Sequence, residues 1–302
     1  MSDKRAASKI LVGPAGWSYP DWKGIVYPKL RPSGFHEVNY LAGYFNTVEL
    51  NVTFYRPVAA KTTQEWVVRV AHNKQFLFTA KLWQEFTHNR DLSIENERAF
   101  RPGMEVLRDA GKLGALLAQF PWSFKNTAEN LGYLSKVVER FRDFPLVVEV
   151  RHSSWDRPNV SSWLAERNVG FCNIDQPIIG RSLKPGERTT SAVGYVRLHG
   201  RNYNEWFRER PEGKGSEQRY NYLYEQEELE PWVQRIRSVA RSTESTFVIT
   251  NNHFEGKAIV NGLQLIHMLT KTRVAIPPAL IERYPELERI SSGPGSTPNL
   301  FQ

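Results

Sequence analysis

Eight short apolar runs, each bounded by Gly, Pro, Asn or charge and most of them separated by an amphipathic stretch, constrain this chain more than any other feature of its sequence. That alternation is the pattern of repeated β-α units. Strands are expected over residues 10–15, 47–51, 76–81, 114–120, 146–151, 170–175, 194–199 and 246–251. Helices are expected over 36–45, 63–72, 95–109, 127–141, 161–167, 228–241 and 257–270, whereas the sixth connection, 176–192, carries no helical pattern. A right-handed succession of parallel strands either opens into a doubly wound sheet or closes into a (β/α)8 barrel, and the count of eight favours closure. The expected fold class is therefore α/β, a single TIM-type barrel with an irregular sixth connection and a long loop after the seventh strand.

Residues 9–272 would form the barrel, residues 1–8 a flexible leading segment and residues 273–302 a C-terminal extension with a partly disordered tail, where Gly293, Pro294, Gly295 and Pro298 crowd together. The polar stretch 201–220 reads as a mobile lid. Composition supports a folded chain: 40% of the 302 residues are hydrophobic and 24% charged. Cys172 is the only cysteine, which rules out an intrachain disulfide and a thiolate metal cage. The run at residues 10–12 is too brief for a signal-peptide core, and no segment approaches the roughly 20 apolar residues that cross a bilayer. A soluble, cytoplasmic protein with no membrane partner is expected; the oligomeric state is not encoded in any legible way.

The strands also carry a functional pattern. Glu49 and Asn51, Glu149 and Arg151, Asn173 and Asp175, and Arg197 and His199 stand two apart at the C-terminal ends of their runs, so each pair shares a face. Val48, Leu50, Val148, Val150, Cys172, Ile174, Val196 and Leu198 would then face the helices, and Lys81 fits the inward parity with Thr79. Five strands would aim charge into the mouth of the barrel, the place where this architecture builds its active sites.

On these residues the chain resembles the YecE-like family, domain of unknown function 72. The matching features are Gly13 to Trp17; Glu49, Asn51, Thr53, Phe54 and Tyr55; Lys81 with Thr87 and His88; Gln119 to Pro121; Glu149, Arg151, His152, Ser154 and Trp155; Asp175 and Pro177; Arg197 to Arg201 with Trp206; and Asn251 with Asn252. Val52 and Gly262 depart from the family pattern. The resemblance implies a TIM-type barrel with no established reaction, distantly similar in fold to metal-dependent sugar isomerases and endonuclease IV; fold alone does not transfer function.

The mouth would hold Lys81, Arg151 and Arg197 against Glu49, Glu149 and Asp175, with His152, His199 and Asn252 at hand. Guanidinium forks suit phosphate or carboxylate, so Arg151, Arg197, Arg201 and Lys81 form an anion clamp, unless Arg151 only pairs with Asp175 or Glu149. Glu149 and His199 serve as acid and base, tuned by Glu49 and Asp175. Lys81 could alternatively form an imine, and Glu49 with Glu149 a glycosidase pair. Trp17, Trp22, Trp83, Trp122, Trp155 and Trp206 follow strand ends; with Tyr55, Asn51, Asn251 and Asn252 they would receive a ring, or simply pack loops.

The preferred expectation is an acid-base enzyme acting on a phosphate-bearing, ring-containing small molecule, nucleotide or nucleic acid. No cofactor and no metal ligand set is expected, because three interspersed cations would repel a divalent metal and no His-rich spacing occurs. A metal-dependent hydrolase or isomerase of the endonuclease IV or sugar-isomerase type is one alternative. The other is a non-catalytic nucleic-acid-binding barrel using the formal charge of +8.

Overall fold

The computed structural model describes residues 8–206 and 216–293 of the chain. Residues 1–7 and 294–302, assigned above to a flexible segment and a tail, and 207–215 of the expected lid lie outside the described residues.

Eight strands form: β1 (Lys9–Pro14), β2 (Thr47–Leu50), β3 (Leu77–Lys81), β4 (Leu113–Gln119), β5 (Leu146–Glu149), β6 (Gly170–Asp175), β7 (Val193–Leu198) and β8 (Ser245–Thr250). All neighbours are parallel, in the order β1-β8-β7-β6-β5-β4-β3-β2. The ring closes at the top of β1 and β2, where Ala15 bridges Glu49 and the Gly16 amide donates to the Glu49 carbonyl at 2.8 Å. Closure depends on Gly13: a Cβ there would lie 1.8 Å from the Thr47 carbonyl oxygen, so the two backbones approach only because no side chain intervenes. The structure is thus a (β/α)8 TIM-type barrel.

Helices among the described residues are α1 (Glu37–Leu41), α2 (Val52–Tyr55), α3 (Ala60–Arg69), α4 (Ile94–Asp109), α5 (Ala128–Arg140), α6 (Pro158–Ala165), α7 (Tyr203–Trp206), α8 (Gln226–Arg241), α9 (Lys257–Thr270) and α10 (Pro278–Arg283). The amphipathic stretches account for the long ones, and local chemistry sets their starts. Thr127 accepts from the Asn130 amide at the head of α5, and Glu225 with Glu228 forms a reciprocal capping box on α8. Two short elements escape the periodicity: α2 directly after β2, and a π-helical turn at Glu85–Asn89 after β3. Both carry cavity residues. The sixth connection has no helix, as its sequence indicates. No helix among the described residues is long and apolar enough to cross a membrane.

The extension at 273–293 packs onto the barrel: Val274, Ile276, Leu280, Tyr284 and Leu287 join the same hydrophobic core as the strands.

One strand has the opposite parity to the expected one. Register places Cys172 beside Tyr195 and Ile174 beside Arg197, so these face inward, while Asn173 and Asp175 pair with outward Val196 and Leu198. The absent sixth helix explains it. In place of a helix, the connection after β6 runs as an irregular strap whose backbone needs polar partners, and Asn173 supplies them by donating to the Arg188 carbonyl (2.9 Å) and accepting from its amide (2.8 Å).

Candidate active site

Arg197, at the inward face of β7 and 1% exposed, is the centre of the barrel's polar layer. Its Nη2 donates to Glu49 Oε1 (2.7 Å), and its Nη1 to Glu149 Oε2 (2.5 Å) and Gln119 Oε1 (3.0 Å). The remaining oxygens are also taken. The Tyr195 hydroxyl donates to Glu49 Oε2 at 2.9 Å, and Arg151 forks onto Glu149 Oε1 through Nε (3.0 Å) and Nη2 (2.9 Å). Two fully buried carboxylates are therefore held by two guanidinium groups, which is what makes their burial tolerable. Burial works against the charge on Glu149, but Arg197, Arg151 and the His199 ring together hold it well below the usual carboxylate range.

His199 lies in the same layer, completely buried. Asn251 Nδ2 donates to its Nδ1 at 2.9 Å, which places the ring proton on Nε2, facing Glu149 Oε1 at 3.4 Å. Burial, reinforced by Arg197 and Arg151 against the pull of Glu149, lowers its pKa to about 3. The ring is neutral at ordinary pH.

Lys81 ends β3 and is treated differently from its neighbours. Its Nζ sits 4.0 Å above the Phe54 ring, with no carboxylate within ion-pair distance among the described residues. Burial and then Arg197, against the opposing pull of Glu49 and Glu149, bring its pKa down to about 7. His88, from the π-helical turn, is pushed down to about 4 by burial, Lys81 and Arg151.

Above this layer opens a cavity of about 880 Å³. Among the described residues its charged walls are Lys81, Arg151, Arg197 and Arg219, with no carboxylate lining it. Phe54, Tyr55, Trp122, Trp206, Tyr19 and Tyr220 supply aromatic surface, and Asn51, Gln119 and Asn251 supply amides.

The sequence-derived candidates divide cleanly. Lys81, Arg151, Arg197, Asn51, Asn251, Tyr55 and Trp206 converge on the cavity. Glu49, Glu149 and His199 lie behind its wall, fully buried. Five are placed elsewhere. Asp175 faces outward and pairs with Arg201 (3.0 Å), which also holds Glu228 of α8 (2.9 Å), so neither belongs to the clamp. Burial raises Asp175 despite Arg201. Asn252 binds the Tyr222 carbonyl and Asn261, bracing α9. Trp17 packs edge-on against Trp66 of α3, and Trp155 stacks on Phe124 with its Nε1 on the Phe124 carbonyl (2.7 Å); both are framework. Cys172 points inward, 3.8 Å from Glu149 Oε2, where burial and that carboxylate push its thiol far up, so it remains unreactive.

Phe54, His88, Gln119, Arg219, Tyr220 and His253 line the cavity without having been singled out for a role. Tyr195 was readable from parity, two residues before Arg197; Arg219, in a polar connection, gave no periodic signal. Among the described residues no group of three or more His, Cys, Asp or Glu side chains converges as a metal site.

The profile of the family described as protein of unknown function DUF72 matches residues 11–284. The UPF0759 protein YunF of Bacillus subtilis is 30% identical over 274 residues, covering 86% of this chain and 94% of that protein. A crystal structure of a DUF72 family protein from Thermotoga maritima shares 32% identity with a TM-score of 0.74, covering 87% of this chain and 99% of that one. A DUF72 family protein from Enterococcus faecalis, at 24% identity and the same TM-score of 0.74, covers 86% of this chain and 95% of its own and shares the fold.

Proposed function

The chain belongs to the DUF72 family of unknown function, and from that premise we propose that it is an enzyme acting on a phosphate-bearing, ring-containing small molecule at the barrel mouth. The observation that carries this reading is the charge of the wall: among the described residues four cationic side chains and no carboxylate line the cavity, while Glu49 and Glu149 are buried behind it and already engaged. Arg219, with the Nη1 of Arg151 that Glu149 leaves free, offers charged donors to the phosphate from the cavity wall. The aromatic surfaces take the ring.

Lys81 is the reactive group of the wall, since near pH 7 it is divided between its two protonation states and so presents a free amine for part of the time. Glu149 and Glu49 act as positioning residues that fix the two arginines. His199 keeps Glu149 and Asn251 in place. This differs from an acid-base pair of Glu149 and His199, because neither borders the cavity.

Calorimetric titration with AMP, ribose 5-phosphate, inorganic phosphate and adenosine tests the reading. Phosphorylated ligands should bind about tenfold or more tighter than adenosine, weaken with salt, and lose about tenfold in Arg219→Gln. Binding of adenosine equal to AMP, or binding of none of the phosphates, would overturn it.

An enzyme that holds an unpaired lysine in a buried wall sacrifices stability for it. Lys81→Met should therefore be more stable than the parent by about 2 kcal/mol in urea unfolding at pH 6. The sign follows from the depressed pKa. Wild-type Lys81 is least costly above its unfolded value of 10.5 and most costly below about 7, so the advantage of methionine should shrink towards pH 10. A destabilised Lys81→Met would mean that the ammonium is structurally paired.

A further inference from the structure

All four oxygens of Glu49 and Glu149 are engaged, by Arg197, Arg151 and Tyr195. Among the described residues none of them lies within ion-pair distance of Lys81 Nζ. Its amine instead lies over the face of Phe54, on the wall of the cavity, with permanently charged guanidinium groups of Arg151 and Arg197 lining the same space. For holding a phosphate such a lysine is redundant, because arginine remains charged at every relevant pH and forks onto the anion. A lysine kept from any carboxylate beside other cations is instead the arrangement that activates an amine as a nucleophile.

We infer that the ligand carries a carbonyl group as well as a phosphate, and that Lys81 Nζ attacks it to form an imine. A phosphorylated sugar able to open to its aldehyde has both groups and a ring. This rests on the cavity being a phosphate site, with Arg151 and Arg219 taking the anion. In the step, the nitrogen lone pair forms the C–N bond as the carbonyl π bond breaks, giving a carbinolamine. The two amine protons then leave with the carbonyl oxygen as water, and the C=N bond forms. Hydrolysis reverses the sequence, so no oxidant or reductant is needed.

Near pH 7 a lysine with a pKa of about 7 has roughly a thousandfold larger free-amine fraction than an ordinary surface lysine. The test is to incubate the full chain with ribose 5-phosphate, reduce with cyanoborohydride, and map the adduct by peptide mass spectrometry. The expected result is one adduct per chain, at Lys81, at least about tenfold above any other lysine, with a yield rising through pH 7. Lys81→Arg should lose the adduct and still bind ribose 5-phosphate in calorimetry, and ribose without phosphate should label poorly. Binding of ribose 5-phosphate with no adduct, or with adducts spread over surface lysines, overturns the imine alone. Neither binding nor adduct overturns both the imine and the phosphate site.

Discussion

Arg197→Met is expected to lower the stability of the chain by about 4 kcal/mol, a large share of the total for a folded protein. The loss is not the value of two ion pairs. Methionine fills similar volume, but Glu49 and Glu149 both lose a partner that they meet at 2.7 and 2.5 Å, inside a barrel where each is fully buried. Arg151 still covers one oxygen of Glu149, and Tyr195 one of Glu49, so the remaining two are stranded. Arg197→Lys should recover part of the loss, because it restores charge without a fork that spans two carboxylates. The diagnostic comparison is the background Glu149→Gln, in which one stranded charge no longer exists. There the same Arg197→Met change should cost about 2 kcal/mol less, a coupling measurable from guanidinium unfolding midpoints. Equal costs in both backgrounds would show that Arg197 contributes through packing alone.

This centre was legible in the sequence for a simple reason. Strand side chains alternate, so Glu49, Glu149 and Arg197, each at the end of an apolar run, had to share the barrel interior once the barrel itself was recognised. The same rule failed at β6, where Asp175 and Asn173 were assigned inward because they are polar. Parity fixes which residues share a face but not which face is inside. On the other strands helices make the outer face apolar, and polarity then decides correctly. After β6 the connecting helix is missing, the outer face meets the polar backbone of the strap that replaces it, and polarity misleads. Arg201, expected in the clamp as a residue of the loop after β7, is instead drawn away by its pairing with the outward Asp175.

The tryptophans failed differently. Position after a strand end places a residue near the rim, but a rim side chain can point into the cavity or back over the helices. Trp122 and Trp206 do the first, Trp17 packs back on Trp66 of α3, and Trp22 and Trp155 are buried against the loop residues His253 and Phe124. That choice is made by loop backbone geometry, which has no period to read. The division of labour between Lys81 and the carboxylates was hidden for a related reason. Sequence counts three cations and three anions, but only coordinates show that Arg197 and Arg151 consume the acidic oxygens and that Asp175 is elsewhere. Among the described residues the lysine is thereby left without an ion-pair partner.

His199 provides a large pH response on the acid side. Its pKa is about 3 in the folded protein and 6.5 when solvated, so between these values the unfolded chain binds a proton that the native chain excludes. Its depressed folded value means that the stabilising contribution is complete above 6.5 and is lost as the pH falls through about 3. The full window is worth about 5 kcal/mol. Glu149 acts in the same direction, but it begins only below 4.5, where its unfolded counterpart starts to protonate. The interval from pH 6.5 to 5 is thus free of Glu149. His88, lowered to about 4, responds in that interval as well, which makes a difference measurement necessary. His199→Gln keeps a donor and an acceptor near Glu149 and Asn251 and removes the titration. Stability of the parent should fall by about 2 kcal/mol more than that of the variant between pH 6.5 and 5. Parallel pH profiles for the two proteins would place a charged imidazole in the barrel, and with it a proton held between His199 and Glu149 where the structure has a neutral ring.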